Sequence, residues 1–319
     1  MSMKTNPPTA PLSKSIYFTP AEAGNNTLEF LKHKASRAGM KWLTPKMNNA
    51  ILPLDAGMMA AICSLPGAGK TTHGVALSAQ YARELVEQSA QKSVLFISLD
   101  QPAENIRTLL LAAASRNYTV TDFHRGEVPE AEIQKLNLEL VELPIYICGK
   151  SAVERRDQPR FTFQNIERGI REMEQHVHLS PALIVIDYIQ IMPIERDTRR
   201  TEQVTEAVYQ ARELCLDLQV PILLLAQATR DSVKDRRIKI PLPQDSQHSS
   251  AIEQAVDCWI GLWKPQATEI DKTQIELFGQ KIAITNDLVL AGLEKQWKGA
   301  SGIIFQLQCN FGNLVIQDR

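Results

Sequence analysis

The stretch Ser64-Leu65-Pro66-Gly67-Ala68-Gly69-Lys70-Thr71-Thr72 constrains this chain more than any other. An apolar run, Met58 to Cys63, precedes it, and an amphipathic run from Thr72 to about Gln88 follows. The order is strand, glycine-rich loop, helix. Glycines let the backbone approach a bound anion with its N–H groups turned towards it. The helix start adds unpaired N–H groups and a partial positive charge. In that geometry Lys70 reaches the β- and γ-phosphates of a nucleoside triphosphate, and the Thr71 hydroxyl ligates Mg²⁺. Pro66, Gly67, Ala68, Gly69, Lys70, Thr71 and Thr72 are the candidate cradle. One position departs from G-x-x-x-x-G-K-[ST], because Ser64 stands where the first glycine is usual.

A doubly covered parallel sheet around such a loop needs length, and 319 residues suffice for one large α/β domain with extensions. Hydrophobic residues make up 44% and charged residues 22%, ordinary values for a globular protein. No apolar run approaches the length of a membrane span. The segment Met1 to Leu12 is polar and proline-rich, unlike a secretory leader. Five scattered cysteines, Cys63, Cys148, Cys215, Cys258 and Cys309, lie mostly inside apolar runs without metal spacing. They read as reduced core residues of a cytoplasmic protein. A net charge of −1 means that any nucleic-acid contact has to come from a local basic patch.

Residues 1–45 read as a flexible arm followed by a helix over Ala21 to Ala38, stopped by Gly39; residues 46–319 read as the catalytic domain. The helix has to bury its apolar stripe, either on its own domain or on a neighbouring subunit. Within the domain, strands are expected at Met58–Cys63, Ser93–Leu99, Ile145–Cys148, Ala182–Ile186 and Pro221–Ala226. They alternate with helices at Thr72–Gln88, Ala103–Ser115, Glu130–Leu140, Phe163–His176 and Thr201–Leu218. Short continuous apolar strands alternating with helices imply a mostly parallel sheet. After Val256 the segments Val256–Trp263, Leu288–Glu294, Ile303–Gln308 and Leu314–Ile316 look like an antiparallel extension. Thr229 to Ser250 is polar and reads as a mobile loop.

Further candidates stand at strand ends. Asp187 closes the run Ala182 to Ile186, which puts a carboxylate at the sheet edge where ligands of open α/β folds bind. There it can hold Mg²⁺ beside Thr71. Asp100 ends the strand Ser93–Leu99; it can orient an attacking water or simply cap the helix after Pro102. Gln227 ends Leu223 to Ala226; it is either an amide that reports on the γ-phosphate or a satisfied strand terminus. Lys295 sits in Leu293-Glu294-Lys295-Gln296-Trp297-Lys298-Gly299, which is either a phosphate-completing element acting in trans or a solvated turn.

Taken together, these elements resemble the ATPase domain of DnaB-type replicative helicases, a branch of the RecA-like P-loop ATPases. The resemblance runs from about Asn48 to the C-terminus. Ser98 to Glu104 is similar to the family's S-L-E-M-P/S segment, Ile186 to Met192 to I-D-Y-L-Q-L-M, and Val220-Pro221 through Arg230 to V-P-V…S-Q-L-N-R. Ser250 to Asp257 is similar to G-A-I-E-Q-D-A-D, and Lys295 to Gly299 to K-Q-R-N-G. The resemblance implies an α/β, RecA-like core with a mostly parallel sheet, an antiparallel C-terminal strand extension and an N-terminal linker helix docking on the adjacent subunit. It implies ATP and Mg²⁺ bound between subunits of a homo-oligomer, hexamer or filament, with single-stranded DNA in the channel and replication or mobile-element proteins as partners. Lys70, Thr71 and Asp187 would act in cis, Asp100 at the water-activating position, Gln227 as the coupling amide, and Lys295 on the neighbour's γ-phosphate. The segment ahead of the match is too short for the family's primase-binding domain.

Three positions depart from the family. Asp100 replaces a glutamate, and a carboxylate about 1 Å further back can cost on the order of 100-fold in rate. Trp297 replaces the arginine finger, whose guanidinium is worth roughly 10³–10⁵ where measured. Lys295 or Lys298 would compensate in part, without the bidentate fork. Gln247 replaces an arginine in the presumed DNA loop. Basic residues remain at Arg196, Arg199 and Arg200 and at Lys234, Arg236, Arg237 and Lys239, in loops that would line a channel and track phosphates. Neither loop carries an aromatic residue to stack bases. The alternative is an ATP-dependent assembly switch that hydrolyses slowly and recruits partners.

Overall fold

In the computed structural model, the described residues are 19–36, 39–115, 117–154, 160–195, 198–246, 250–269, 271–297 and 299–319. Arg196, Gln247, Lys298 and most of the N-terminal arm lie outside them. The chain divides into two units, Met1–Ala38 and Gly39–Arg319. In the first, helix α1 spans Pro20–Ser36, with Leu28 and Leu31 exposed.

The second unit opens with α2 (Pro45–Ala50), capped by Thr44, whose side chain accepts from the Met47 amide. Then strands and helices alternate: β1 (Met59–Ser64), α3 (Lys70–Glu87), β2 (Lys92–Ser98), α4 (Ala103–Ala114), α5 (Val120–Arg125), α6 (Glu130–Val141) and β3 (Ile145–Gly149). The order continues with α7 (Phe163–Val177), β4 (Ser180–Asp187), α8 (Arg200–Leu218) and β5 (Ile222–Gln227). Two short helices, α9 (Arg230–Val233) and α10 (Ala251–Ala255), lead into β6 (Cys258–Trp263). The hairpin β7 (Gln274–Leu277) and β8 (Gln280–Ala283) precedes β9 (Leu288–Gln296), β10 (Ile303–Asn310) and β11 (Val315–Asp318).

Nine strands form one sheet in the order β11-β10-β9-β6-β1-β5-β4-β2-β3. β1 is wholly buried because alternate residues face two cores. Ala60 and Ile62 join Val75, Leu77 and Leu110 on one face, while Met59, Ala61 and Cys63 join Ala207, Val208 and Ile170 on the other. Leu223 and Leu225 follow the first face, Ile222 and Leu224 the second. This double covering is why the strands read as unbroken apolar runs rather than alternating ones.

One strand direction differs from expectation. The sequence places β6 in the antiparallel extension, yet it pairs parallel with β1 and antiparallel with β9. The stretch between β5 and β6 supplies the crossover that a parallel pair requires. That stretch is also less loop-like than its polarity implies. It forms α9, buries Val233 and Ile240, and holds Asp245 in the interior. The β7–β8 hairpin has no counterpart among the expected strands. Its turn, Phe278-Gly279, takes positive φ at both residues without an Asn-Gly or Asp-Gly signature, and Ile275, Leu277 and Ile282 pack with Trp263 and Leu290.

Candidate nucleotide-binding site

The phosphate loop lies where β1 ends and α3 begins. Gly69 is the N-cap of α3 in the left-handed conformation, φ 88°, and Gly67 shares that region at φ 82°. A Cβ at position 69 would collide with the ring of Phe311, so glycine is required there by both backbone and space. Ser64, in the place of the first motif glycine, is buried; its hydroxyl donates to Leu65 O at 2.9 Å. The departure is therefore absorbed at the strand end, outside the turn itself.

Three predicted residues converge. Thr71 Oγ1 donates to Asp187 Oδ2 at 2.7 Å, and the Lys70 ammonium is ion-paired with Asp187 Oδ1. Asp187 is 1% exposed, so its charge is desolvated and depends on these partners. The Lys70 ammonium also lies 4.5 Å from the Tyr188 ring centroid. Burial raises the Tyr188 phenol pKa, and the charges of Asp100 and Asp187 add to that rise. Asp100 is exposed just past β2, near Tyr188, on the same sheet edge as Asp187. Thr71 Oγ1 and Asp187 Oδ2 are hard oxygen donors, the set Mg²⁺ selects, so these side chains fit that ion.

Gln227 ends β5, level with Ser64 of the loop. Gln190, buried just after Asp187, binds it twice: its Nε2 donates to Gln227 O at 2.9 Å, and Gln227 N donates to its Oε1 at 3.3 Å. Sequence reasoning assigns Gln190 no role, although it lies inside a segment similar to the family's. His73 escapes it too. It is buried in the first turn of α3, with Nδ1 2.9 Å from Gly69 O and Nε2 without a partner. Burial depresses its pKa to about 4, against a smaller raising effect from the Gly69 carbonyl. No local pattern flags such a histidine. Phe311, on the turn after β10, reaches the loop through long-range packing that no motif reveals.

Lys295 is not part of this cluster. Its ammonium donates to Glu253 O at 2.6 Å. β9 runs away from the phosphate loop: Leu290 pairs with Trp263 at one end of β6, and Lys295 and Gln296 pair with Trp259 and Cys258 at the other. Just beyond, the Trp297 amide donates to Asp257 O, and the Asp257 amide in turn donates to Met59 O where β1 begins. That edge is one strand, roughly 17–20 Å, from the phosphate loop. Within its own chain Lys295 therefore lies away from the glycine-rich loop. Trp297 is half exposed there.

The predicted DNA-contacting residues separate into two groups. Arg236 forms a two-point ion pair with Asp245, Nη1–Oδ2 and Nη2–Oδ1 both 2.6 Å. Arg237 pairs with Glu276, and Arg200 donates to Gln190 O. Lys239 pairs with Glu269 at 2.5 Å. Arg199 and Lys234 are exposed. All five cysteines are free, four of them buried. Among the described residues no helix is long and apolar enough to cross a membrane.

A mostly parallel sheet, a helix start preceded by a glycine-rich turn, and a lysine and a threonine both bonded to the aspartate that ends β4, two strands across from β1, make the pattern of a RecA-like P-loop ATPase domain. Residues 39–309 match the model of the DnaB-like helicase C-terminal domain, and the chain belongs to that family. It is 27% identical over 249 residues to the replicative DNA helicase DnaB of Leifsonia xyli subsp. xyli (strain CTCB07), covering 76% of this chain and 51% of that protein. It is 26% identical over 198 residues to the replicative DNA helicase DnaC of Bacillus subtilis (strain 168), covering 61% and 40%. The chain thus spans about half the length of such relatives. In fold it is similar to a solved DnaB-like replicative helicase, described together with its interactions with primase, with a TM-score of 0.71 at 17% identity, covering 95% of this chain and 67% of that one. A second solved structure, an isolated ATPase domain, gives a TM-score of 0.72 at 16% identity, covering 92% and 98%.

Proposed function

We propose that this chain binds and hydrolyses ATP with Mg²⁺ as a homo-oligomer, a ring or filament, in the cytoplasm. Single-stranded DNA lies in its channel, and the work belongs to DNA replication, recombination or mobile-element DNA metabolism. The observation that carries the reading is the contact of Lys70 and Thr71 with Asp187 at the glycine loop.

Lys70 transfers from Asp187 to the β- and γ-phosphates, while the loop amides of Gly67 to Thr72 orient the chain of phosphates. Thr71 and Asp187 would hold Mg²⁺, which would supply positive charge to the phosphates. Asp100 accepts a proton from the attacking water, and Gln227 donates to the γ-phosphate. Lys295 lies towards the far edge of the sheet, a placement that suits action on a neighbour's nucleotide.

Two substitutions favour a second reading, a slow ATP-dependent assembly switch that recruits replication or mobile-element proteins. Asp100 has a shorter reach than a glutamate, and Trp297 supplies no guanidinium. The engagement of Arg200, Arg236 and Arg237 within the chain also leaves fewer cations for DNA, with Arg199 and Lys234 remaining. ATP turnover with and without single-stranded DNA separates the readings. DNA-stimulated turnover of many cycles per second with strand separation excludes the switch; slow turnover with ATP-dependent assembly excludes the motor.

A further inference from the structure

The pairing of β4 with β5 ends at Asp187 opposite Leu225, two residues before β5 itself ends. On its other side β5 stays paired to the last residue, Ser64 opposite Gln227. The open side of Gln227 is filled by a side chain. Gln190, 2% exposed, offers its carboxamide as a substitute peptide, donating to Gln227 O at 2.9 Å and accepting from Gln227 N at 3.3 Å. A primary amide presents a donor and an acceptor side by side in this way without depending on pH. The main-chain carbonyl of Gln190 is in turn bound by Nη2 of Arg200, the first residue of α8. Arg200 Nη1 is fixed by Gln203 Oε1 at 3.1 Å.

We infer that Gln190 is a positioning residue for the hydrolytic reaction: it clamps the main chain of Gln227 so that the side chain faces the phosphates, and Arg200 links that clamp to the start of α8. The inference rests on the ATPase reading given above for the effect on rate, and on geometry alone for the clamp. Gln190 lies three residues beyond the metal-holding Asp187, and Gln227 is level with the phosphate loop. The clamp therefore ties two strand ends that must act on the same γ-phosphate. Arg200 in this role is not a DNA contact; a displacement of the α8 N-terminus reaches Gln227 through two side chains, those of Arg200 and Gln190.

The test uses the full chain with Gln190→Met, Gln190→Glu, Arg200→Met and Arg200→Lys. Methionine keeps the volume and loses both bonds. Glutamate keeps the shape; ionised, it sets an acceptor against the Gln227 carbonyl, and protonated, it restores the donor, so its effect grows as pH rises. Hydrogen–deuterium exchange over residues 222–228, read without nucleotide, should rise about tenfold in Gln190→Met, the loss of roughly one protecting bond. With Mg·ATP, kcat should fall on the order of tenfold while the ATP Kd stays within about twofold, because the cradle is untouched. Arg200→Met should show a smaller fall in kcat that Arg200→Lys restores. Unchanged exchange in Gln190→Met overturns the clamp. Exchange that rises while kcat holds, or a parallel loss of kcat, ATP affinity and melting temperature, overturns the positioning role. Wild-type protein that binds no Mg·ATP sinks the ATPase reading and the rate claim, while the exchange result still decides the clamp.

Discussion

Asp187 shows how a single residue ties stability to function. Its carboxylate is buried and held by Lys70 and Thr71. Removing the lysine leaves a buried charge without its counter-charge, a loss of about 3 kcal/mol in comparable cases. Lys70→Ala should therefore lower stability by urea denaturation by that order, and Lys70→Ala combined with Asp187→Asn should recover much of it. His73 gives a pH signature. Its pKa falls from 6.5 to about 4 because burial penalises the imidazolium. Below pH 6.5 the unfolded chain takes up a proton that the native state refuses, so stability declines as pH falls and has lost about 3 kcal/mol when pH reaches the native value. His73→Phe should flatten that part of the stability profile. If the profile of the variant matches the wild type between pH 6.5 and 4, the histidine is not the source. Trp297→Arg tests the missing finger: turnover should rise if guanidinium loss is limiting, and Asp100→Glu should add to it, by up to about 100-fold.

At the scale of elements, the segment between β5 and α10 is held down by charge rather than by apolar mass. Asp245 is buried, takes both Arg236 nitrogens and accepts from the Leu242 amide at 2.7 Å. Asp245→Ala should cost about 1–3 kcal/mol and make residues 230–246 the first site of proteolysis; intact resistance would show that Val233 and Ile240 suffice. This segment also marks where the sequence misleads. Its polar composition resembles that of a solvated loop, and ion pairing between Arg236 and Asp245, nine residues apart, follows no helix or strand period that would reveal it. The strands around the phosphate loop are legible because each is a short run buried on both faces. β6 is visible as a strand but not in direction, because an apolar run such as Trp259 to Trp263 carries no record of its partner. The strand-end positions of Asp187, Asp100 and Gln227 can be read because each follows a largely aliphatic run. The residues around them, Gln190 and His73, make contacts that only folding creates.

For the whole molecule, the placement of Lys295 and Trp297 away from the phosphate loop means that, in the oligomeric reading, one chain does not complete a nucleotide site by itself. A non-hydrolysable ATP analogue with Mg²⁺ should then raise the molar mass of the wild type in light scattering, and Lys295→Ala should weaken turnover more than nucleotide affinity. A mass that stays that of one chain at every nucleotide concentration would leave Lys295 with only its bond to the Glu253 carbonyl. The most direct test of the central claim is calorimetric titration of Mg·ATP into the wild type and Lys70→Ala, with Thr71→Ala titrated in the presence and absence of Mg²⁺. Saturable binding by the wild type is expected, weakened at least about 100-fold by the lysine change, with the threonine change costing affinity only when Mg²⁺ is present. No binding by the wild type, or equal affinities for all three proteins, would contradict the assignment of the phosphates to this loop.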